Sequence, residues 1–207
     1  AVAGLKEVLG FDPGKSFEVD EEALAHARKV ADRGLEAHKE WDEKFEEWAK
    51  ANPDKAALHD RIHAGRLPEE FNRVIDDLEA TFEAGSSVAT RKASGAVINA
   101  LASVMPELWG GSADLGGSNN TVIKGADSFA PSEFATATWP NVSEGGRILH
   151  FGVREFAMGA ITNGILLDSD TRPFNGTFFQ FADYERPAVR LAALMDVPNI
   201  YIWTHDS

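Results

Sequence analysis

The chain has 207 residues, 43% of them hydrophobic, and carries a formal net charge of −13 at pH 7 without a single cysteine. The lack of cysteine excludes disulfides and thiolate metal sites and is typical of cytoplasmic proteins. The acidic balance argues against non-specific nucleic-acid binding, which needs cations opposite phosphates. No apolar run approaches the roughly 20 residues of a membrane span, and the opening residues lack the pattern of a secretory signal. We expect a cytoplasmic globular protein without nucleic-acid or membrane partners.

The pattern of residues 1–84 predicts acidic helices, with 12 Lys and Arg against 21 Asp and Glu. Asp20 is a candidate N-cap, and the two glutamates after it favour the first turn of a helix. From Leu24 to Trp48, apolar residues recur at three- and four-residue steps, as in an amphipathic helix. Pro53 can begin the next helix, and a third is predicted over residues 68–84.

The pattern changes after residue 84, where strands and helices alternate. Such alternation predicts an α/β fold with a parallel sheet covered on both faces. Residues 121–146 show no clean period and are predicted to be a long loop, which in compact domains is often functional or disordered. The predicted elements are, in order, helix Thr90–Val104, strand Glu107–Asp114, strand Arg147–Gly152, helix Glu155–Leu167, strand Arg172–Thr177, helix Asp183–Met195 and strand Asn199–Thr204.

Two segments in the second half combine a carboxylate with aromatic side chains. FGVREFAMGA, residues 151–160, places Glu155 at a predicted strand-to-helix junction. GTFFQFADYERPAVR, residues 176–190, supplies the aromatic residues Phe178, Phe179, Phe181 and Tyr184. A carboxylate beside stacked aromatic rings suits a flat, nitrogen-rich heterocycle that shares a proton with it. The alternatives are an ordinary glutamate at a helix start and an aromatic cluster in the core.

Other residues with chemical potential are spread along the chain. The glycine-rich segment GGSADLGGSNNT, residues 110–121, contains Asp114 and lets a ligand approach the backbone closely. It lacks the lysine of a P-loop and the spacing of the dinucleotide fingerprint, so a plain turn is the alternative. Arg91, Ser118 and His205 each lie near the end of a predicted element on one side of the sheet. Arginine and histidine suit a phosphate, although each residue alone could be structural.

Five segments, in this order, resemble the transketolase family of thiamine-diphosphate enzymes, and the resemblance runs over almost the whole chain. Several long motifs in the right order are far more specific than one short motif. The resemblance implies that residues 1–84 are the helical end of a diphosphate-binding domain plus an inter-domain linker. Residues 85–207 would be the N-terminal, truncated part of a pyrimidine-binding domain. The segments are ATRKASG (89–95), GGSADLGGSNNT (110–121), HFGVREFAMGAITNGI (150–165), TFFQFADYERPAVRLAALM (177–195) and THDS (204–207).

The resemblance also implies roles around the cofactor. Glu155 would be the catalytic glutamate that contacts the aminopyrimidine ring of thiamine diphosphate and activates the cofactor. Phe181 would stack on the pyrimidine, with Phe178 and Tyr184 completing the pocket. Asp114 would lie close to the cofactor. The carbanion chemistry itself belongs to the cofactor.

On the substrate side, the resemblance implies that Arg91, Ser118 and His205 hold the phosphate and hydroxyl groups of a sugar phosphate. The reaction would be reversible transfer of a two-carbon ketol group from a ketose phosphate to an aldose phosphate, in the pentose phosphate pathway. A divalent cation, Mg²⁺, would be bound by ligands outside this chain. The enzyme would be a homodimer, with this chain supplying the pyrimidine side of the cofactor site.

The sequence is therefore expected to be an internal fragment of a transketolase, inactive when isolated from the rest of the polypeptide. One alternative is a related ketol-transferring enzyme such as dihydroxyacetone synthase. A second is a non-catalytic fragment that acts through protein contacts, although a domain that has lost its catalytic function has no need to keep Glu155. A third is one half of a split enzyme, although a natural split is expected between domains.

Overall fold

The computed structural model describes residues 1–205; Asp206 and Ser207, the second half of the THDS segment, lie outside the described residues. The chain divides into two compact units, Ala1–Ala57 and Leu58–Ser207. The predicted domain boundary between residues 84 and 85 stays a prediction.

The first unit is helical, as predicted. Helix α1 spans Val2–Val8 and helix α2 spans Glu21–Ala51. Asp20 caps α2, because its Oδ1 accepts a hydrogen bond from the backbone N–H of Ala23 at 2.7 Å. Helix α3, Pro53–His63, begins in this unit at the proline that was predicted to begin it, and its residues 58–63 belong to the second unit. No residue of α2 is buried, and on its surface the rings of Trp41 and Phe45 stack with centroids 4.9 Å apart.

The second unit is built on a six-stranded sheet in the order β3-β2-β4-β1-β5-β6, and every neighbouring pair of strands is parallel. This confirms the predicted α/β class and parallel sheet. The predicted helix over 68–84 is shorter in the structure. The strands are β1 Leu108–Ser112, β2 Ser128–Phe129, β3 Val142–Ser143, β4 Ile148–His150, β5 Arg172–Phe178 and β6 Ile200–Thr204. The helices are α4 Phe71–Glu79, α5 Thr90–Ala102, α6 Gly116–Asn119, α7 Glu155–Asp168 and α8 Ala182–Met195.

The prediction that residues 121–146 form only a loop was wrong. This segment contains β2, a 3₁₀ turn over Ser132–Phe134 and β3, and it extends one edge of the sheet. The backbone N–H of Ser128 donates to the carbonyl of Asn141 at 3.0 Å, and that of Arg147 donates to the carbonyl of Asp127 at 2.9 Å. Strands of two residues are too short to show an alternating pattern, so backbone pairing alone defines them.

Two glycines let the central strand β1 lie close to its neighbours. A Cβ atom at Gly110 would overlap the carbonyl oxygen of Phe174 on β5, and one at Gly111 would overlap the carbonyl oxygen of Leu149 on β4. Both obstacles are backbone atoms, which cannot rotate away as a side chain can. Glycine is therefore a steric requirement at these positions.

The two faces of the sheet differ in chemistry. One face packs an apolar cluster that joins α5, β1 and β5, made of Ile98, Ala102, Met105, Leu108, Ile123 and Phe174. The other face meets α7 through amides and hydroxyls. Asn175 and Asn199 each donate from Nδ2 to Oγ1 of Thr162 at 2.8 Å, and Asn199 also donates to Oδ1 of Asn163 at 2.7 Å. These bonds satisfy polar groups that burial would otherwise leave unpaired.

A carboxyl group, Glu185 of α8, is buried on this polar face with 0% of the residue exposed. Its Oε2 accepts a hydrogen bond from Nε1 of Trp203 at 2.9 Å, and its Oε1 is buried without a hydrogen-bond partner. Burial raises the pKa of Glu185 to about 7, the Trp203 bond opposes the rise, and the charge of Glu155 adds to it.

Glu185 is expected to make the stability of the protein fall as the pH rises. Its ordinary pKa is 4.5 and its folded pKa is about 7, so its contribution is complete below 4.5 and is lost as the pH rises through 7. Relative to Glu185→Gln, the wild-type free energy of unfolding should fall by about 3 kcal/mol over this range. Urea denaturation of wild type and Glu185→Gln at several pH values measures this change in the free energy of unfolding. The control is exposed Glu144→Gln, and equal pH dependence of wild type and Glu185→Gln would refute the expectation.

Gly110→Ala is expected to destabilise the second unit by about 3 kcal/mol or more, because the new methyl group meets backbone. Gly164→Ala is the matched control. Gly164 lies inside α7 with nothing within 4 Å of its added Cβ, so alanine should stabilise the helix by about 1 kcal/mol. Denaturant titration of both variants checks this, and a Gly110→Ala protein as stable as wild type would show that the strands can separate at no cost.

Candidate functional site

The candidate residues gather at one end of the sheet because its strands are parallel. The carboxyl ends of β1, β4, β5 and β6 lie side by side, and ligand sites of open α/β sheets form there. Arg91, near the start of α5, joins this group through a contact with His205 described below. Of the predicted site residues, those that follow a strand end are Asp114 and Ser118 after β1, Glu155 after β4, Phe178, Phe181 and Tyr184 at or after the end of β5, and His205 after β6.

Glu155 is the first residue of α7 and only 7% exposed. Its Oε1 accepts a hydrogen bond from Oγ1 of Thr177 on β5 at 3.3 Å. No hydrogen bond joins its Oε2 to any residue in the described range 1–205. The N-terminus of a helix stabilises negative charge, so this position suits a carboxylate. The carboxyl group is therefore held through one oxygen while the other is left for a further partner.

The aromatic residues form a short ladder beside the end of β5. The rings of Phe178 and Phe181 stack with centroids 5.8 Å apart and planes 18° apart, and Phe181 lies 6.3 Å from Tyr184. A 3₁₀ turn over Phe179–Phe181 continues into α8, which keeps these three residues on one side. Phe179 belongs to a different cluster, with its ring 6.1 Å from that of Trp203.

Three of the predicted residues meet at the end of β6. The imidazole of His205 lies 4.2 Å from the ring of Phe178, centroid to centroid, and its Nε2 is hydrogen-bonded to a guanidinium nitrogen of Arg91. His205 has a φ of 59°, in the left-handed region. Oγ1 of Thr204 lies 2.8 Å from Nδ1 of His205, which fixes the ring from its other nitrogen. A cation and an imidazole thus lie beside the aromatic ladder.

Asp114 and Ser118 lie at the same end of the sheet but contact neither each other nor Glu155 by any hydrogen bond within residues 1–205. Both are exposed. Asp114 has a φ of 61° in the turn that follows β1. It lines a cavity of about 140 Å³ together with Gly111, Thr121, Trp139 and His150. The glycine-rich segment is therefore the wall of a small cavity.

Two residues of this cavity, His150 and Trp139, were not predicted from the sequence. Their rings lie 4.6 Å apart, and Nε2 of His150 lies 2.8 Å from Oγ of Ser128. Burial lowers the pKa of His150, while the charge of Asp114 opposes this. His150 ends β4, so the rule that groups ligand sites at strand ends could have found it. Trp139 lies in residues 121–146, which have no clean periodicity, so nothing in the sequence pattern pointed to it.

Within residues 1–205 no group of three or more His, Asp or Glu side chains could hold a metal ion. No helix in this range combines the length and the apolar character needed to cross a lipid bilayer.

Residues 86–207 match the family model of the transketolase pyrimidine-binding domain, and residues 1–68 match that of the transketolase thiamine-diphosphate-binding domain. The chain is 53% identical over 206 residues to the transketolase of Mycobacterium tuberculosis (strain ATCC 25618 / H37Rv), covering 100% of this chain and 29% of that protein. It is 44% identical over 203 residues to the transketolase of Geobacillus stearothermophilus, covering 98% of this chain and 28% of that protein. The chain thus spans less than a third of the length of these relatives.

Solved structures agree with the sequence matches. A Pichia stipitis transketolase in complex with sedoheptulose-7-phosphate superposes with a TM-score of 0.86 at 36% identity, covering 100% of this chain and 29% of that one. The transketolase of Leishmania mexicana gives a TM-score of 0.83 at 37% identity, covering 99% and 28%. With one family model spanning more than half of its residues, the chain belongs to the transketolase family.

Proposed function

We propose that this chain supplies the aminopyrimidine side of the thiamine-diphosphate site of a transketolase. The enzyme would transfer a two-carbon ketol group reversibly from a ketose phosphate to an aldose phosphate, as in the pentose phosphate pathway. The observation that carries the proposal is Glu155, a buried carboxylate at a helix start beside a ladder of aromatic rings. The match of residues 86–207 to the transketolase pyrimidine-binding domain supports thiamine diphosphate as the cofactor.

The described residues fit an aminopyrimidine. One oxygen of Glu155 is occupied by Thr177, and the other is left to hold a proton shared with a ring nitrogen. Phe178, Phe181 and Tyr184 would hold the flat ring by stacking and apolar contact, with Asp114 close by. Thiamine diphosphate, when bound, supplies the electron sink for making and breaking a carbon–carbon bond. The protein residues bind and orient the ring and exclude water from it.

The substrate side is proposed to consist of Arg91, Ser118 and His205. Arg91 and His205 already meet, and together they offer charged or neutral donors to a phosphate. Ser118 is exposed and could donate to a sugar hydroxyl. The complex of the Pichia stipitis relative with sedoheptulose-7-phosphate supports a sugar phosphate as substrate.

The remaining parts of the proposal concern the whole enzyme. We propose a cytoplasmic homodimer in which Mg²⁺ is bound by ligands outside this chain. Residues 1–84 would be the end of the diphosphate-binding domain with the linker, and residues 85–207 part of the pyrimidine-binding domain. Isolated residues 1–207 would be inactive, because the described residues offer no metal cluster to anchor a diphosphate. Dihydroxyacetone synthase and a non-catalytic binding fragment are the other candidates.

Glu155→Gln in the complete enzyme is expected to lower ketol transfer by about 100-fold or more, because glutamine keeps the shape but cannot hold the proton. Coupled assays with a ketose phosphate and an aldose phosphate measure the rate. Glu144→Gln, an exposed residue outside the site, is the control and should act as wild type. Full activity of Glu155→Gln would favour a role for this chain outside catalysis.

Phe181→Ala is expected to weaken thiamine-diphosphate binding by about tenfold, from the loss of one stacked aromatic contact. Phe181→Tyr keeps the ring and should bind as wild type does. Phe179→Ala, in the same turn but in contact with Trp203, is the matched control. Cofactor titration followed by circular dichroism gives the dissociation constants. Equal losses in Phe181→Ala and Phe179→Ala would mean that the turn, and not stacking, is what the cofactor needs.

A further inference from the structure

Glu185 has no role in the site as proposed, although its carboxyl group is fully buried and one of its oxygens has no partner. Burial without a counter-charge is costly for a carboxylate. Within residues 1–205 no ion pair involves Glu185, and no basic group is among the causes that shift its pKa. Arg186, its neighbour on α8, is paired with Asp183 in an exposed contact instead.

Hydrogen bonds to two neighbouring strands of the sheet place Glu185 and Glu155 near each other. Glu155 is bonded to Thr177 on β5, and Glu185 is bonded to Trp203 on β6. Thr177 and Trp203 are directly paired across these two strands. Strands in a sheet lie about 5 Å apart, and paired residues of parallel strands project on the same face. The two carboxyl groups are therefore anchored at the same level, on neighbouring strands, on one face of the sheet.

The helix surface gives a second, independent link between the two groups. A Cβ atom at Gly159 would lie 3.1 Å from Oε1 of Glu185, the oxygen without a partner. Gly159 lies four residues after Glu155, one turn further along the same face of α7. The absence of a side chain at Gly159 therefore leaves the space that the Glu185 carboxyl group occupies, next to the turn that carries Glu155.

We propose that Glu185 is a positioning residue for Glu155: the two form a buried acid pair in which Glu185 holds a proton and so places no charge of its own beside Glu155. This inference rests on the proposed function. Two neighbouring carboxyl groups in one dry environment repel each other when both are ionised, so the proton on Glu185 relieves that repulsion. Because Glu155 is the member that faces the cofactor, Glu185 sets the electrostatic environment there without touching the cofactor.

The groups that face Glu185 are few. Helix α7 contributes Glu155, whose charge raises the pKa of Glu185. Strand β6 contributes Tyr201, whose pKa is raised by burial and by the charge of Glu185. Strand β5 contributes the uncharged Thr177. Among residues 1–205, the titratable groups that interact with Glu185 are thus acids, and a proton on Glu185 relieves their repulsion.

Trp203 can report whether Glu185 is protonated, because its indole N–H donates a hydrogen bond to the Glu185 carboxyl group. The experiment uses the complete enzyme, free of cofactor, labelled with 5-fluorotryptophan, with the Trp203 signal assigned by Trp203→Phe. The fluorine resonance of Trp203 should titrate with a midpoint of about 7 in wild type and should not titrate in Glu185→Gln. In Glu155→Gln the midpoint should fall by about one pH unit, the coupling at which two sites behave as a pair. An unchanged midpoint in Glu155→Gln would overturn the proposal.

The functional half of the proposal is tested by the pH dependence of thiamine-diphosphate affinity. The ratio of wild-type to Glu185→Gln affinity should change with pH around a midpoint near 7, whereas the ratio of wild type to the exposed control Glu144→Gln should stay constant. The ionisation of the diphosphate is common to all three proteins and cancels in these ratios. A wild-type to Glu185→Gln ratio that does not change with pH would overturn the positioning role. Failure of the wild-type enzyme to bind thiamine diphosphate at all would instead overturn the proposed function, while the Trp203 titration would still decide whether the acid pair exists.

Discussion

The parallel direction of all six strands is the constraint on which the rest of the second unit depends. It brings the carboxyl end of every strand to the same side, so residues more than a hundred positions apart become neighbours there. His205 follows β6 at this side and there contacts Arg91, near the start of α5. The order of strands then decides the partners, since β4 and β5 flank β1 and place the helix start of α7 beside the aromatic turn that follows β5.

The sheet separates two kinds of packing. Phe174 and the face toward α5 are apolar. The face toward α7 is polar, with Asn175 and Thr177 alternating with Phe174 and bonding to Thr162 and Glu155. Hydrogen bonds require definite distances and angles, so the bonds on this face fix the position of α7 along the strand direction. The position of the Glu155 carboxyl group is thus set by amides and hydroxyls as much as by apolar burial.

Much of the fold could be predicted from the sequence, because the long helices and strands have clear periodicity and end at recognisable residues. Asp20 and Pro53 are examples, since capping and proline geometry act locally. The two-residue strands β2 and β3 could not be found, because pairing with distant backbone creates them. The burial of Glu185 was equally hidden: its position in α8 is ordinary, and only the tertiary packing against Gly159 and Trp203 removes it from water.

The central place of β1 has a consequence for how the protein is made. Among these six strands β1 comes first in the chain, and both of its neighbours, β4 and β5, come later. Until β4 has left the ribosome both edges of β1 are unpaired, and one edge stays unpaired until β5 has followed. A parallel sheet with distant partners also folds slowly. The nascent chain therefore carries an exposed template for wrong strand pairing over dozens of residues of synthesis.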